Sequence, residues 1–107
     1  EDCPTGIYCA NDITAVGMLK YLRRCRNLYF TPSIIASDDI EEAQYTKPML
    51  TTVGLPKEEM GRFALYLLLD RMKGGHSGVV RMELSGKLLV RNSCSHVSES
   101  FWRDYCI

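Results

Sequence analysis

Ile7-Tyr8-Cys9-Ala10-Asn11-Asp12, followed by Ile13 to Arg26, decides how this chain is read. A short apolar run suited to a buried strand ends in two good helix-capping side chains, and a 3.6-residue period then begins. Ala15, Met18, Leu19, Leu22 and Cys25 recur at three and four, while Lys20, Arg23, Arg24 and Arg26 fill the remaining positions and favour the C-terminal end. The pattern predicts a strand over Ile7–Ala10 and a helix over Ile13–Arg26, with one face buried and one basic.

The alternation continues outward. Ser33–Ser37, centred on Ile34 and Ile35, reads as a second buried strand that runs into Asp38-Asp39. Leu50–Val53 is short and β-branched, and Gly54 after it permits a bend. Pro56 opens a helix with Glu58 and Glu59 in its first turn and Arg71 and Lys73 in its last, and Gly74-Gly75 stop it. Met60, Phe63, Ala64, Leu67, Leu68 and Met72 form its apolar stripe, which Leu65, Tyr66 and Leu69 widen, so burial on more than one side is expected. Val79–Leu84 and Lys87–Arg91 read as strands joined by a tight hairpin at Ser85-Gly86. Phe101, Trp102 and Tyr105 carry enough aromatic surface to dock the tail onto the body. Strand and helix patterns in turn are an α/β signature.

The chain's 107 residues leave room for one domain, and 46% hydrophobic with 24% charged residues implies a packed core. Thirteen basic residues balance thirteen acidic ones, which argues that this segment does not itself bind DNA or anionic lipid. No apolar stretch approaches the roughly 20 residues of a membrane span, and Glu1-Asp2 lack the basic character of a signal peptide. The five cysteines contain no CxxC pair, and only Cys94 with His96 hints at metal ligation, so no metal site and no cofactor is expected. Cys9 in an apolar run and Cys25 on a helix face act as small hydrophobes, which points to a reducing, cytoplasmic setting. A glycine-rich phosphate loop, a GxSxG elbow and an HExxH motif are all missing, and nothing indicates an enzyme.

In open parallel sheets ligands bind beyond the C-terminal ends of the strands, where Asn11, Asp12, Asp38 and Asp39 are placed. From position alone, helix capping is the favoured reading of the same four residues.

Ile7–Asp12, Gly17-Met18-Leu19, Asp38-Asp39-Ile40, Pro48–Val53, Met60-Gly61-Arg62 and Leu88-Leu89-Val90-Arg91-Asn92-Ser93 resemble, in order, the C-terminal part of LacI/GalR-type bacterial transcriptional repressors. The closing Phe101 and Arg103-Asp104-Tyr105 resemble the tail of a purine-responsive member of that family. The resemblance implies a periplasmic-binding-protein-like, three-layer α/β (Rossmann-like) sheet flanked by helices, here a partial copy of a two-lobe domain. Residues 1–53 and 87–107 would belong to the C-terminal lobe and 56–84 to the other lobe. Val53-Gly54-Leu55 and Ser85-Gly86 would be the hinge crossovers, against the hairpin reading. Carried over residue by residue, Asn11 and Asp38 would bind the effector, a sugar or other small metabolite, while Asp12 caps its helix and Asp39 stays open. Val16, Met18, Leu19 and Tyr45 would contribute to a homodimer contact. Operator DNA would be bound by a helix-turn-helix outside these residues. Leu55 stands where the family commonly has glutamine, and Ala36-Ser37 where it has glycine and an aromatic residue, so the effector class stays open. A sugar-binding protein of a transport system shares the fold, but would begin with a secretory signal and need not dimerise; the cysteines and Leu89-Val90-Arg91 favour the repressor.

Overall fold

Residues 4–25 and 31–96 are described by the computed structural model of the chain. The tail aromatics Phe101, Trp102 and Tyr105, together with Cys3, Arg26 and Cys106, lie outside the described residues. In chain order the elements are β1 (Gly6–Tyr8), α1 (Asp12–Cys25), β2 (Ser33–Asp38), a 3₁₀ turn (Glu41–Gln44), β3 (Thr51–Gly54), α2 (Lys57–Met72) and β4 (Lys87–Leu89). They build a four-stranded sheet in the order β1-β2-β3-β4. β1, β2 and β3 are parallel, with Ile7 opposite Ile34 and Ile35 opposite Thr51. β4 is antiparallel to β3, with Val53 opposite Leu88.

Alternation along β2 sends Ile34 and Ala36 to one face, where α1 covers them. The core is Cys9, Ala15, Val16, Leu19, Ile34, Ala36, Ala43 and Leu50, with Ile7, Met18, Leu22 and Ile40 packed against it. Ala15 and Leu19 come from the periodic stripe, as does the half-buried Met18. Val16 and Leu19 are therefore core residues of the described chain, each only 7% exposed, rather than a free contact surface. Cys9 follows β1 into this core, and burial pushes its thiol pKa up, so it stays a neutral apolar filler. Tyr8, by contrast, is 65% exposed at the sheet edge, so the strand expected to be buried is buried only in part.

The hairpin does not form. Val79–Leu84 is not a strand, and β4 pairs with β3 instead. A hairpin needs two adjacent strands, and the β3 edge, with its row of free N–H and C=O groups, is the partner that Lys87–Leu89 takes. Ser85-Gly86 consequently runs beside Val53-Gly54-Leu55. A Cβ on Gly86 would stand 2.9 Å from Val53 Cγ1 and 3.3 Å from the Gly54 carbonyl oxygen, so only glycine allows the two passages to lie this close.

Beyond β4 the closing motif threads back across the sheet. The Asn92 N–H donates to the Met49 carbonyl at 3.0 Å, and the Ile34 N–H donates to the Ser93 carbonyl at 2.7 Å. The Ser93 hydroxyl donates to the Ile34 carbonyl and accepts the Thr51 N–H at 2.7 Å, bridging β2 and β3 where their own ladder has not begun.

Pro56, Glu58 and Glu59 start α2 as expected, and its end is a Schellman motif: Gly74 takes φ 79°, its N–H reaches the Arg71 carbonyl, and the Gly75 N–H reaches the Asp70 carbonyl. None of its residues is buried. Tyr66, Leu68 and Met72 are 61%, 55% and 74% exposed, and the flank carrying Met60, Phe63, Ala64 and Leu67 opens on a groove of about 420 Å³ shared with Leu55, Met82 and Leu84. The Cα radius of gyration, 19.4 Å where a compact chain of this length has about 13 Å, is in keeping with a helix that stands off the sheet. Of the three expected layers, the described residues supply the sheet and the α1 layer; α2 does not cover the second face.

Candidate functional site

The parallel strands point their C-terminal ends at a common edge: β1 leads into Asn11-Asp12, β2 into Asp38-Asp39 and β3 into Gly54-Leu55. The Tyr8 and Ser37 hydroxyls, 3.0 Å apart, link the first two ends directly. This is the crevice position that the topology of an open α/β sheet provides for a ligand.

Asn11 caps α1. Its side-chain carbonyl accepts the Thr14 N–H at 2.9 Å and the Thr14 hydroxyl at 2.8 Å, satisfying a donor the helix leaves free. Its amide nitrogen donates to no acceptor among the described residues, and the residue is exposed. Asp12, expected to be the cap, is fully buried and does other work. One carboxylate oxygen accepts the Thr52 hydroxyl at 2.6 Å and the other accepts the Ile40 N–H at 3.0 Å, tying the ends of β1 and β3 to the loop after β2. The reversal is physical: the residue preceding the helix can aim its side chain at the N3 amide, whereas the first helical residue points away from it.

Asp38 and Asp39 part company in the same way. Asp39 pairs with Arg91, whose guanidinium donates to its carboxylate at 2.7 Å, both side chains being at most 30% exposed. The carboxylate of Asp38 accepts no hydrogen bond among the described residues, and its backbone takes φ 138°, while Asp39 takes φ 53°. Side-chain-bearing residues seldom occupy these regions, and where they do the surroundings over-determine them, commonly at ligand sites. Gly54 lies against this turn, since a Cβ there would meet Asp39 Cβ at 3.4 Å and Leu89 Cδ1 at 3.2 Å. Asp39, Leu55, Pro56, Lys57, Glu58 and Glu59 border an open hollow of about 380 Å³ beside it. Leu55 offers this wall methyl groups and no polar atom. No group of three metal-ligating side chains gathers among the described residues.

Three residues that support Asp12 and Asp39 were missed. Thr52 looks like any β-branched strand residue in sequence, and Arg91 stands out there only as part of a motif. Thr51, whose hydroxyl accepts the Arg91 N–H at 2.9 Å, was missed for the same reason as Thr52. The available signal was polarity: two threonines at the start of a strand and an arginine just beyond another, each flanked by apolar residues, need partners where they are buried.

Comparison with known proteins matches this arrangement. The model of the periplasmic binding protein-like domain matches residues 1–94. The transcriptional repressor CytR of Escherichia coli K12 is 38% identical over 92 residues, which is 84% of this chain and 27% of CytR. The structure of a transcriptional regulator CelR–cellobiose complex superposes with a TM-score of 0.75 at 32% identity, covering 83% of this chain and 28% of that one. A LacI family transcriptional regulator from Enterococcus faecium with bound ribose gives a TM-score of 0.78 at 30% identity, covering 91% of this chain and 37% of that one. The chain thus spans 27% to 37% of the length of these three proteins. With its parallel strands, its carboxylate-bearing crevice edge and a family match over residues 1–94, the chain belongs to the periplasmic binding protein-like domain family, in the form carried by LacI-type transcriptional regulators.

Proposed function

We propose that this chain is the C-terminal part of the effector-binding and dimerisation region of a LacI-type transcriptional regulator, and that Asn11 and Asp38 bind the hydroxyl groups of a small metabolite, a sugar in the first place. The observation that carries this reading is the Asp38 carboxylate, without a partner among the described residues and held at the end of β2 on a left-handed backbone. The Asp38 carboxylate can accept two hydroxyl hydrogen bonds and the Asn11 amide nitrogen, with its carbonyl taken by Thr14, can donate to a hydroxyl oxygen, which suits a polyol. The similarity to regulators solved with cellobiose and ribose supports it and favours a regulator over a transport protein. Residues 1–53 and 87–107 form one lobe in this reading, 56–84 contribute to the other, and Val53–Leu55 and Ser85–Gly86 are the hinge between them. The close approach of Gly86 to Val53 supports a paired crossover. Effector binding shifts the population of lobe arrangements and so the spacing of DNA-binding regions that lie outside these residues, in the cytoplasm of a bacterium. The test is calorimetric titration of the full-length regulator with cellobiose and with ribose, with Asp38 as the residue whose removal must matter. Saturable binding that Asp38 controls supports the reading, and binding indifferent to Asp38 overturns it.

The dimer contact is carried by the α1 and 3₁₀ face, where Tyr45, 73% exposed, borders a groove with Val16, Leu19, Lys20 and Arg23. Since Val16 and Leu19 are core and Met18 packs on the core, Tyr45 is the residue whose change reads out association without disturbing the fold. Tyr45→Glu is expected to convert a dimeric full-length regulator to monomer in sedimentation, and an unchanged dimer would remove this face from the interface.

A further inference from the structure

Neither Asp38 nor Asp39 is a glycine, yet both hold positive φ, and the structure shows what imposes it. On one side lies Asp12, fully buried, with one oxygen on the Ile40 N–H at 3.0 Å and the other on the Thr52 hydroxyl at 2.6 Å. On the other side the Arg91 guanidinium donates to the Asp39 carboxylate at 2.7 Å and to the Leu50 carbonyl at 3.0 Å, and its own N–H donates to the Thr51 hydroxyl at 2.9 Å. Lys57 Nζ adds a donor to the Asp39 carbonyl at 3.2 Å. Asp39 is therefore fixed at its carboxylate, its carbonyl and the amide that follows it. The Arg91 pair and the Asp12 acceptor, both charge-assisted and the latter fully shielded from water, are strong ties for such a turn, and the exposed Lys57 contact adds little.

We propose that Asp12 and Arg91 are positioning residues that clamp the Asp38–Asp39 turn from opposite sides, so that Asp39 is consumed by the fold and the Asp38 carboxylate alone is left to a ligand. The role toward an effector rests on the reading of Asp38 given above, whereas the clamp itself rests on contacts within the chain. Burial distinguishes the two aspartates at 12 and 38: a carboxylate with no access to water serves geometry, and a half-buried one without a partner among the described residues serves binding. The clamp also explains why two adjacent carboxylates at one crevice edge need not repel each other from the ligand site, because Arg91 neutralises one of them.

The experiment is nuclear magnetic resonance on the full-length regulator and on its Asp12→Asn and Arg91→Leu variants, reading the φ-dependent couplings of residues 38 and 39 and the exchange of the Ile40 amide. The clamp predicts that residue 38 or 39 returns to negative φ in each variant and that Ile40 exchange rises at least tenfold in Asp12→Asn, while the β2 and β3 amides keep their protection. Couplings and exchange that match the parent in both variants overturn it. Should Asp12→Asn fail to fold, Arg91→Leu against Arg91→Lys decides: the lysine variant keeps the charge and is expected to retain the positive φ of Asp39 that the leucine variant loses, and identical behaviour of the two overturns the clamp. Titration of the full-length regulator with cellobiose and ribose separates the two claims. A tenfold or greater loss of affinity in Asp12→Asn, with Asp38 intact, supports the positioning role; altered couplings with unchanged affinity overturn Asp38 as the binding residue and with it the clamp's role toward an effector.

Discussion

Replacing Asp38 by glycine is expected to weaken sugar binding by the full-length regulator at least tenfold while leaving its thermal midpoint unchanged or raised. Each hydrogen bond from a hydroxyl to a carboxylate contributes roughly 1.5 to 3 kcal/mol, and about 1.4 kcal/mol is a factor of ten in affinity. Stability moves the other way for a local reason. Asp38 holds φ 138°, a conformation that costs a residue with a side chain on the order of 1 to 3 kcal/mol and costs glycine almost nothing. Against that gain stands the greater freedom of glycine in the unfolded chain, roughly 0.5 to 1 kcal/mol. Asp38→Ala keeps the strain and loses the carboxylate, so it is expected to bind as poorly as the glycine variant and to melt lower. Calorimetry for binding and scanning calorimetry for stability check both halves. Undiminished affinity in the two variants would return Asp38 to the role of a loop residue and move the binding site elsewhere.

The 107 residues purified by themselves are expected to self-associate in a concentration-dependent way and to show no sugar binding. The cause is α2. A helix with Met60, Leu65, Tyr66, Leu68, Leu69 and Met72 each at least 39% exposed presents apolar surface on more than one side, and Val79, Val80 and Met82 add to it. Exposed apolar patches of several hundred Å² favour association, and β1 and β4 both offer sheet edges to another chain. On the lobe division proposed above, the remainder of the second lobe would cover α2 in the full-length regulator. Light scattering over a dilution series, with a dye that reports exposed apolar surface, is the measurement. Leu65→Lys combined with Leu68→Lys is expected to reduce the association and leave the sheet intact. A monomer with a cooperative melt and no dye binding would show that the chain buries α2 in a way the described structure does not contain.

The sequence determined the elements whose cause is local. A 3.6-residue period, the capping side chains at Asn11-Asp12 and the Pro56 to Gly74-Gly75 punctuation suffice to place α1 and α2 within a residue or two, because caps and periodicity act between neighbours along the chain. Short β-branched runs placed β2 and β3 for the same reason, and the ordered motifs identified the family. The tertiary structure decided whatever depends on residues distant in sequence. Val79–Leu84 has the composition of a strand, but the Ser85-Gly86 passage beside Val53–Leu55 leads it away from the sheet, and Met82 and Leu84 lie along α2 instead of pairing with β4. Two adjacent aspartates are indistinguishable in sequence; what separates Asp38 from Asp39 is an arginine 52 positions along the chain from Asp39. In the same way the helix cap falls to Asn11 and not Asp12, because Thr52 and Ile40, 40 and 28 residues away, bring the partners that make burial of the Asp12 carboxylate tolerable. Hydrogen-bond partners of buried charges are a property of the folded arrangement, and no pattern along the chain encodes them.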